Sequence, residues 1–132
     1  MSLIVPASVG EILMLQYIVG LVNAGNPVIH LFGNNLTPSN STTIEELTEV
    51  TSSGYAPITL VSSNWTTTQL AGVTTAVHSE RTFSFGTAAV AYGYYVTTTG
   101  NQLLWLERFS GAPFSIPDGG GSISVTSKLT LT

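Results

Sequence analysis

Residues 92–109 read "YGYYVTTTGNQLLWLERF". Two aromatic, nearly uncharged segments flank a small polar turn, the pattern of a β-hairpin with strands at 88–97 and 102–109 around "TTGN". A strand pair with one wet face shows polar residues at every second position; here both faces are apolar. With the turn centred on Thr99 and Gly100, Val96 faces Leu103, Tyr94 faces Trp105, Tyr92 faces Glu107 and Val90 faces Phe109 on one side. On the other, Tyr95 faces Leu104, Gly93 faces Leu106 and Ala91 faces Arg108. The first row is the expected core between packed sheets. The second sets small residues, Ala89, Ala91 and Gly93, beside Leu104 and Leu106. Small residues admit close approach, either by an N-terminal helix or by a neighbouring subunit. A one-residue slip would exchange the two faces.

Other segments supply strands around this hairpin. Alternation marks 28–33 ("VIHLFG") and 56–61 ("APITLV"). It also runs through 73–85, with a polar middle at "HSER" that fits a turn or bulge. Residues 123–131 alternate cleanly after the turn "PDGGG", with Ile123, Val125, Ser127, Leu129 and Leu131 on one face. Two helices precede the strand-rich part. Ser8 and Glu11 fit a capping box opening a helix over about 9–22, closed by Asn23, Gly25, Asn26 and Pro27. This helix is apolar nearly all round, which places it in the core or in a subunit contact, with the core favoured. Thr42 and Glu45 fit a second box for a short helix at about 43–49. The expected fold is mainly β: one domain over 1–132, an antiparallel β-sandwich or jelly-roll with strands at 28–33 and 56–132, one N-terminal helix and one short helix.

Composition limits function. The 132 residues suffice for one domain. Charged residues make up only 8%, against roughly a quarter in a typical globular domain, and serine and threonine fill the gap. Disorder does not explain this, because disordered chains combine low hydrophobicity with high charge. A low-charge surface invites association, so part of it is expected to be buried in an assembly. Net charge is −4, and the three bases are Arg81, Arg108 and Lys128. No basic patch can neutralise several phosphates, so nucleic acid is not an expected partner. The apolar run at 12–22 is too short for the ~20 residues of a membrane span, and no basic stretch precedes it as in a signal peptide. No cysteine is present, so neither disulfides nor thiolate chemistry is available.

Catalytic patterns are sparse. His30 shares a strand face with Val28 and Phe32 and reads as a satisfied core or boundary histidine. His78 and Glu80 lie two apart and could share a metal, but no third ligand stands near, so an exposed polar strand or loop is expected. Ser79 and His78 are adjacent and point to opposite strand faces, so they are not a nucleophile–base pair. Glu45, Glu46 and Glu49 read as partners of a helix dipole rather than a cation site. Glu80, Glu107 and Asp118 are the carboxylates of the β region; Glu80 and Glu107 adjoin arginines, which ordinary ion pairs explain. The sequons at Asn35, Asn40 and Asn64 carry little weight in a chain this rich in serine and threonine. No enzyme, cofactor or metal is expected.

Several segments together resemble a known family. The "IHLFGNNLTPSNSTTIEELTEVTSSGYA" segment at 29–56, then "RTFSFGTAAVAYGYYVTTTGNQLLWLERF" and the terminal "ISVTSKLTL", is similar to small structural proteins of tailed double-stranded-DNA bacteriophages. These are of the capsid decoration or cement type, including those of cyanophages. The resemblance implies a sandwich or jelly-roll-like fold, no enzymatic activity and binding to the outside of a capsid, often as trimers. The expected partners are therefore the major capsid protein and other copies of the chain as a homotrimer, in a virion assembled in the host cytoplasm. Tyr95, Leu104, Leu106 and Trp65 are the candidate subunit or capsid contacts. The alternative is a carbohydrate- or receptor-binding module of a tail or fibre, using Trp65, Tyr95 or Trp105 over a shallow groove.

Overall fold

The computed structural model describes residues 3–131. The protein is mainly β, with antiparallel sheets and one N-terminal helix. The hairpin at its centre consists of β7 (Gly93–Thr97) and β8 (Leu103–Arg108), numbered in chain order. Its register differs from the expected one: Tyr94 pairs with Glu107, Tyr95 with Leu106 and Val96 with Trp105. The loop is wider than a turn at Thr99–Gly100. The Thr98 N–H donates to the Gln102 carbonyl at 2.9 Å, and Asn101 takes φ 63°. Moving by two residues keeps Tyr94 and Trp105 on one face and Tyr95 and Leu106 on the other, because strand faces repeat every two residues. A bulge between Val96 and Thr97 then pairs Thr97 with Leu103. It reverses the expected sides of Leu103 and Leu104, as an inserted residue must.

The hairpin belongs to a four-stranded sheet in the order β2 (Ile58–Thr59), β1 (Val28–Phe32), β7, β8. Of the expected strand at 56–61 only Ile58 and Thr59 pair. The far edge of β8 is taken by Ile4, which exchanges backbone hydrogen bonds with Leu106 at 2.9 and 3.0 Å. One face of this sheet carries Ile29, Leu31, Tyr94, Val96 and Trp105 into the larger core. The other carries Phe32, Tyr95, Leu103 and Leu106 beneath Ile4, Leu36, Ile44 and Leu47. So the second apolar face is covered by the chain's own residues, from the N-terminal segment and the loop after β1. Neither the N-terminal helix nor a subunit is needed there.

The larger core is closed by a long ribbon. Here β4 (Val73–His78) and β5 (Arg81–Phe85) run against β11 (Lys128–Leu131) and β10 (Gly121–Val125). The register slips by one residue between the two halves. The polar "HSER" interruption and the break at 126–127 are the two sides of that slip, and the His78 N–H donates to the Ser127 carbonyl across it at 3.0 Å. Phe83, Phe85 and Val125 point from the ribbon into the core. β3 (Trp65–Leu70) forms a hairpin with β4 through Ala71 and Gly72, both at positive φ. This strand was not legible in the threonine-rich sequence. β6 (Ala89–Ala91) pairs with β9 (Phe114–Ile116).

The N-terminal helix starts earlier and ends sooner than 9–22. A π-turn at Ala7–Glu11, closed by the Glu11 N–H donating to the Pro6 carbonyl at 3.0 Å, leads into α1 (Ile12–Ile18). Pro6, not Ser8, stands at the cap. Gly20 ends it at φ 75°: its N–H donates to the Tyr17 carbonyl at 3.2 Å and the Leu21 N–H to Gln16 at 2.9 Å, a Schellman motif. The short helix is one 3₁₀ turn, Ile44–Glu46, and its box is one residue on from the expected one. The Glu46 carboxylate accepts from the Thr43 N–H at 2.7 Å, while Thr42 is buried and its hydroxyl accepts from the Ser39 N–H at 2.9 Å.

Candidate functional site: an exposed aliphatic helix face

α1 is the place where the chain departs most from the usual surface of a folded domain. The sequence is apolar on every side of this helix, and a globular chain can bury only one stripe of a helix lying on a sheet. Leu13 is buried, and Met14 and Tyr17 pack partly against the core. The opposite side is aliphatic and open to solvent: Leu15 is 64% exposed, Ile18 80%, Val19 73% and Leu21 71%, with Ile12 and Val22 beside them. The expectation of a core helix is therefore corrected. What seats it is Gly10, against the backbone carbonyl of Leu104.

A groove of about 350 Å³ runs between α1, the loop after it and the β7–β8 turn. Tyr17, Asn23, Asn26, Gln102 and Trp105 help to line it, and among the described residues no Asp, Glu, His, Lys or Arg does. The buried indole N–H of Trp105 has no acceptor among the described residues. The groove offers amide and aromatic contacts.

The largest cluster of titratable groups gathers around His30 and Glu49. His30 stacks on Tyr95, its partner across the strands, with ring centroids 4.6 Å apart. Its Nδ1 is 2.8 Å from the Glu49 carboxylate and its Nε2 is 2.9 Å from the Thr97 hydroxyl. Tyr55 donates to the same Glu49 oxygen at 2.7 Å and accepts from the Leu31 N–H at 3.0 Å. With Nδ1–H donating to Glu49, Nε2 accepts from the Thr97 hydroxyl, an assignment made from the hydrogen-bond network. Burial, reinforced by the Glu49 charge, pushes the Tyr55 and Tyr95 phenols up; burial and Glu107 do the same to Tyr94.

Glu49, His30 and Thr97 thus stand in the order of an acid–base–hydroxyl relay. Thr97 is only 1% exposed, so its oxygen is not presented to a substrate. The set ties the loop after β1 to the central sheet. Sequence reading anticipated a satisfied His30 but not its partners, which lie 19 and 67 residues away. Only an alternation that put His30 and Thr97 on one face could have hinted at it.

The remaining expected site residues fall as follows. Tyr95, Leu104 and Leu106 are 4%, 5% and 0% exposed, so the side chains expected to meet a subunit or capsid are inside this chain instead. The cause is the coverage by Ile4, Leu36, Ile44 and Leu47 for Tyr95 and Leu106, and the bulge for Leu104, which turns into the larger core. Trp65 is half-buried, edge-on to His78 and Trp105 with centroids 5.0 and 6.2 Å away. His78 is fully buried, not on an exposed strand or loop, because the register slip turns it inward; its Nδ1 donates to the Ser79 carbonyl at 2.8 Å. Glu80 and Asp118 are exposed. Glu107 accepts from the Tyr94 hydroxyl at 3.0 Å, whereas Arg108 lies over the Tyr92 ring and donates to the Leu36 carbonyl at 3.0 Å. The expected arginine ion pair at Glu107 is thus replaced by separate partners. Among the described residues no three His, Asp or Glu side chains gather as a metal site would require.

No protein-family model, curated protein or solved structure matches this chain. Any functional reading is therefore carried by its own residues, and the feature that calls for a partner is the outer face of α1. No helix among the described residues is long and apolar enough to cross a membrane.

Proposed function

We propose that the chain is a virion structural protein that binds the outer surface of a tailed-phage capsid and stabilises it by protein–protein contacts. It acts without catalysis, with the major capsid protein and further copies of itself as partners, as a homotrimer in the simplest arrangement. Its two packed sets of antiparallel strands are read as a β-sandwich of jelly-roll type. The observation that carries the reading is the aliphatic outer face of α1 on a chain with only 8% charged residues. Such a face is on the scale of the largest apolar patch of a typical monomer, about 300–600 Å², and patches of that size are often functional. The resemblance of 29–56, "YGYYVTTTGNQLLWLERF" and the last strand to decoration proteins directs that general reading to a capsid.

The alternative, a glycan- or receptor-binding module of a tail or fibre, called for aromatic platforms at the surface. Tyr95 and Trp105 are buried, and Trp65 is half-covered by His78 and Trp105, so the capsid reading is preferred. The deciding experiment is location. Gradient-purified virions from an infection that expresses this chain should contain it in fixed ratio to the major capsid protein and bind antibodies against it over the head. Virions without the chain, or antibodies confined to the tail tip, would overturn the proposal.

A further inference from the structure

We infer that the occupant of the outer face of α1 is the same face of a second copy of this chain. The inference deepens the assembly reading above and rests on it, but a face that meets its own copy closes as a two-fold pair rather than a trimer, and the surface differs from the hairpin that the sequence suggested.

Size is the first reason. Ile12, Leu15, Ile18, Val19, Leu21 and Val22 are all exposed along α1 and the turn after it. A fully exposed aliphatic side chain presents on the order of 100 Å² of apolar surface, so at their exposures the six present about 400 Å². An interface of standard size buries about 800 Å² per partner, of which roughly 55–65% is apolar. The helix patch alone supplies most of that apolar share, and about 60% of the roughly 650 Å² that the smallest permanent contact between copies would bury at about 1,000 Å² per partner.

Composition is the second reason. Surfaces that meet a transient partner are no more apolar than the rest of a protein, and their strongest anchors are Trp, Tyr and Arg. This patch has none of these; it is wholly aliphatic, as in permanent contacts between copies, which resemble a core cut in half. It also carries no charge between Ile12 and Val22. When a patch meets itself, only the groups on the two-fold axis face their own copies and any other charge needs an opposite charge placed to meet it; an uncharged patch carries neither constraint.

The chain's lack of cysteine makes the test direct. Single cysteines are placed at Ile12, Leu15, Ile18 and Val22, with Glu45→Cys and Asp118→Cys as exposed controls elsewhere. Mild oxidation should link at least one helix variant into a covalent dimer, because a disulfide needs Cβ atoms about 3.5–4.5 Å apart; the controls should stay unlinked. In parallel, sedimentation of the unmodified protein should give a multiple of 13.9 kDa, and Ile18→Glu should return it to 13.9 kDa with an unchanged near-ultraviolet circular dichroism spectrum. Ile18→Ser, which removes the aliphatic chain without adding charge, should weaken association at least tenfold. A monomeric unmodified chain from 1 to 100 µM overturns the inference, as does an Ile18→Glu variant that keeps its mass or a control that links as readily as the helix. If the chain is monomeric yet still decorates virions, and Ile18→Glu abolishes that binding, the self-contact falls while the capsid reading stands. If it self-associates but is absent from virions, the reverse holds.

Discussion

Gly10 lies directly against the backbone carbonyl of Leu104, so the N-terminal helical segment is seated on the outermost strand of the hairpin with no side chain between. A Cβ there would overlap the carbonyl oxygen, which belongs to a paired strand and cannot swing aside. Two effects compete in Gly10→Ala. Helix propensity favours alanine by up to about 1 kcal/mol, whereas overpacking against rigid backbone costs about 1–3 kcal/mol. The contact should win, with a net loss of about 1–2 kcal/mol in urea denaturation. A stabilised Gly10→Ala would mean that the helix sits elsewhere.

Leu104 and Trp105 should now behave alike. Trp105→Ala removes a large aromatic from the core and should cost roughly 3–5 kcal/mol. Leu104→Glu puts an unpaired carboxylate into the same core and should unfold the chain rather than only dissociate it. Leu15→Glu, on the exposed side of α1, should leave the fold intact. Thermal melts of the three variants check this; a folded Leu104→Glu would contradict the burial of that side chain.

The hydrogen bonds of Glu49 make it the most sensitive surface-accessible position. Glu49→Ala leaves the His30 Nδ1–H and the Tyr55 hydroxyl without their acceptor. Each orphaned group costs about 1–3 kcal/mol, so a combined loss of about 2–6 kcal/mol is expected, toward the lower end where water reaches the half-exposed site. Glu49→Gln, which keeps one acceptor oxygen, should recover part of it. Equal stability of all three proteins in urea would remove the network as a structural tie.

Alkaline pH should unfold the protein early. Burial holds the Tyr55, Tyr94 and Tyr95 phenols above their ordinary value, helped by Glu49 for Tyr55 and Tyr95 and by Glu107 for Tyr94. In the unfolded chain these groups ionise near pH 10. Above that pH the folded state binds more protons than the unfolded one, so stability falls with rising pH. Each phenol adds up to about 1.4 kcal/mol per pH unit, and their contribution is flat below about pH 10. Denaturation at pH 9, 10, 11 and 12 should show this slope, and Tyr95→Phe should reduce it by about a third. Phenolate absorbance from all three rising near pH 10 in the still-folded protein would be the contrary result.

Much of the fold was legible because it depends on short-range periodicity. The hairpin, the strand at Val28–Phe32, the turn after Ile116, the interruption at "HSER" and the placement of Tyr94 and Trp105 in one core all follow from alternation and turn residues. His30 as a satisfied histidine was readable for the same reason. Other features depended on contacts distant in sequence. The bulge that turns Leu104 inward, the register slip that buries His78, and the pairing of Trp65–Leu70 are choices among strand alignments of nearly equal local propensity, decided by what packs on each face. Composition and pattern already imply more apolar surface than one hydrophobic layer can cover. Tertiary structure alone decided where the excess lies. Leu36, Ile44 and Leu47 reach over Tyr95 and Leu106 and close the hairpin's second face, while the carbonyl of Leu104 holds Gly10 at the sheet edge and leaves Leu15 and Ile18 in water.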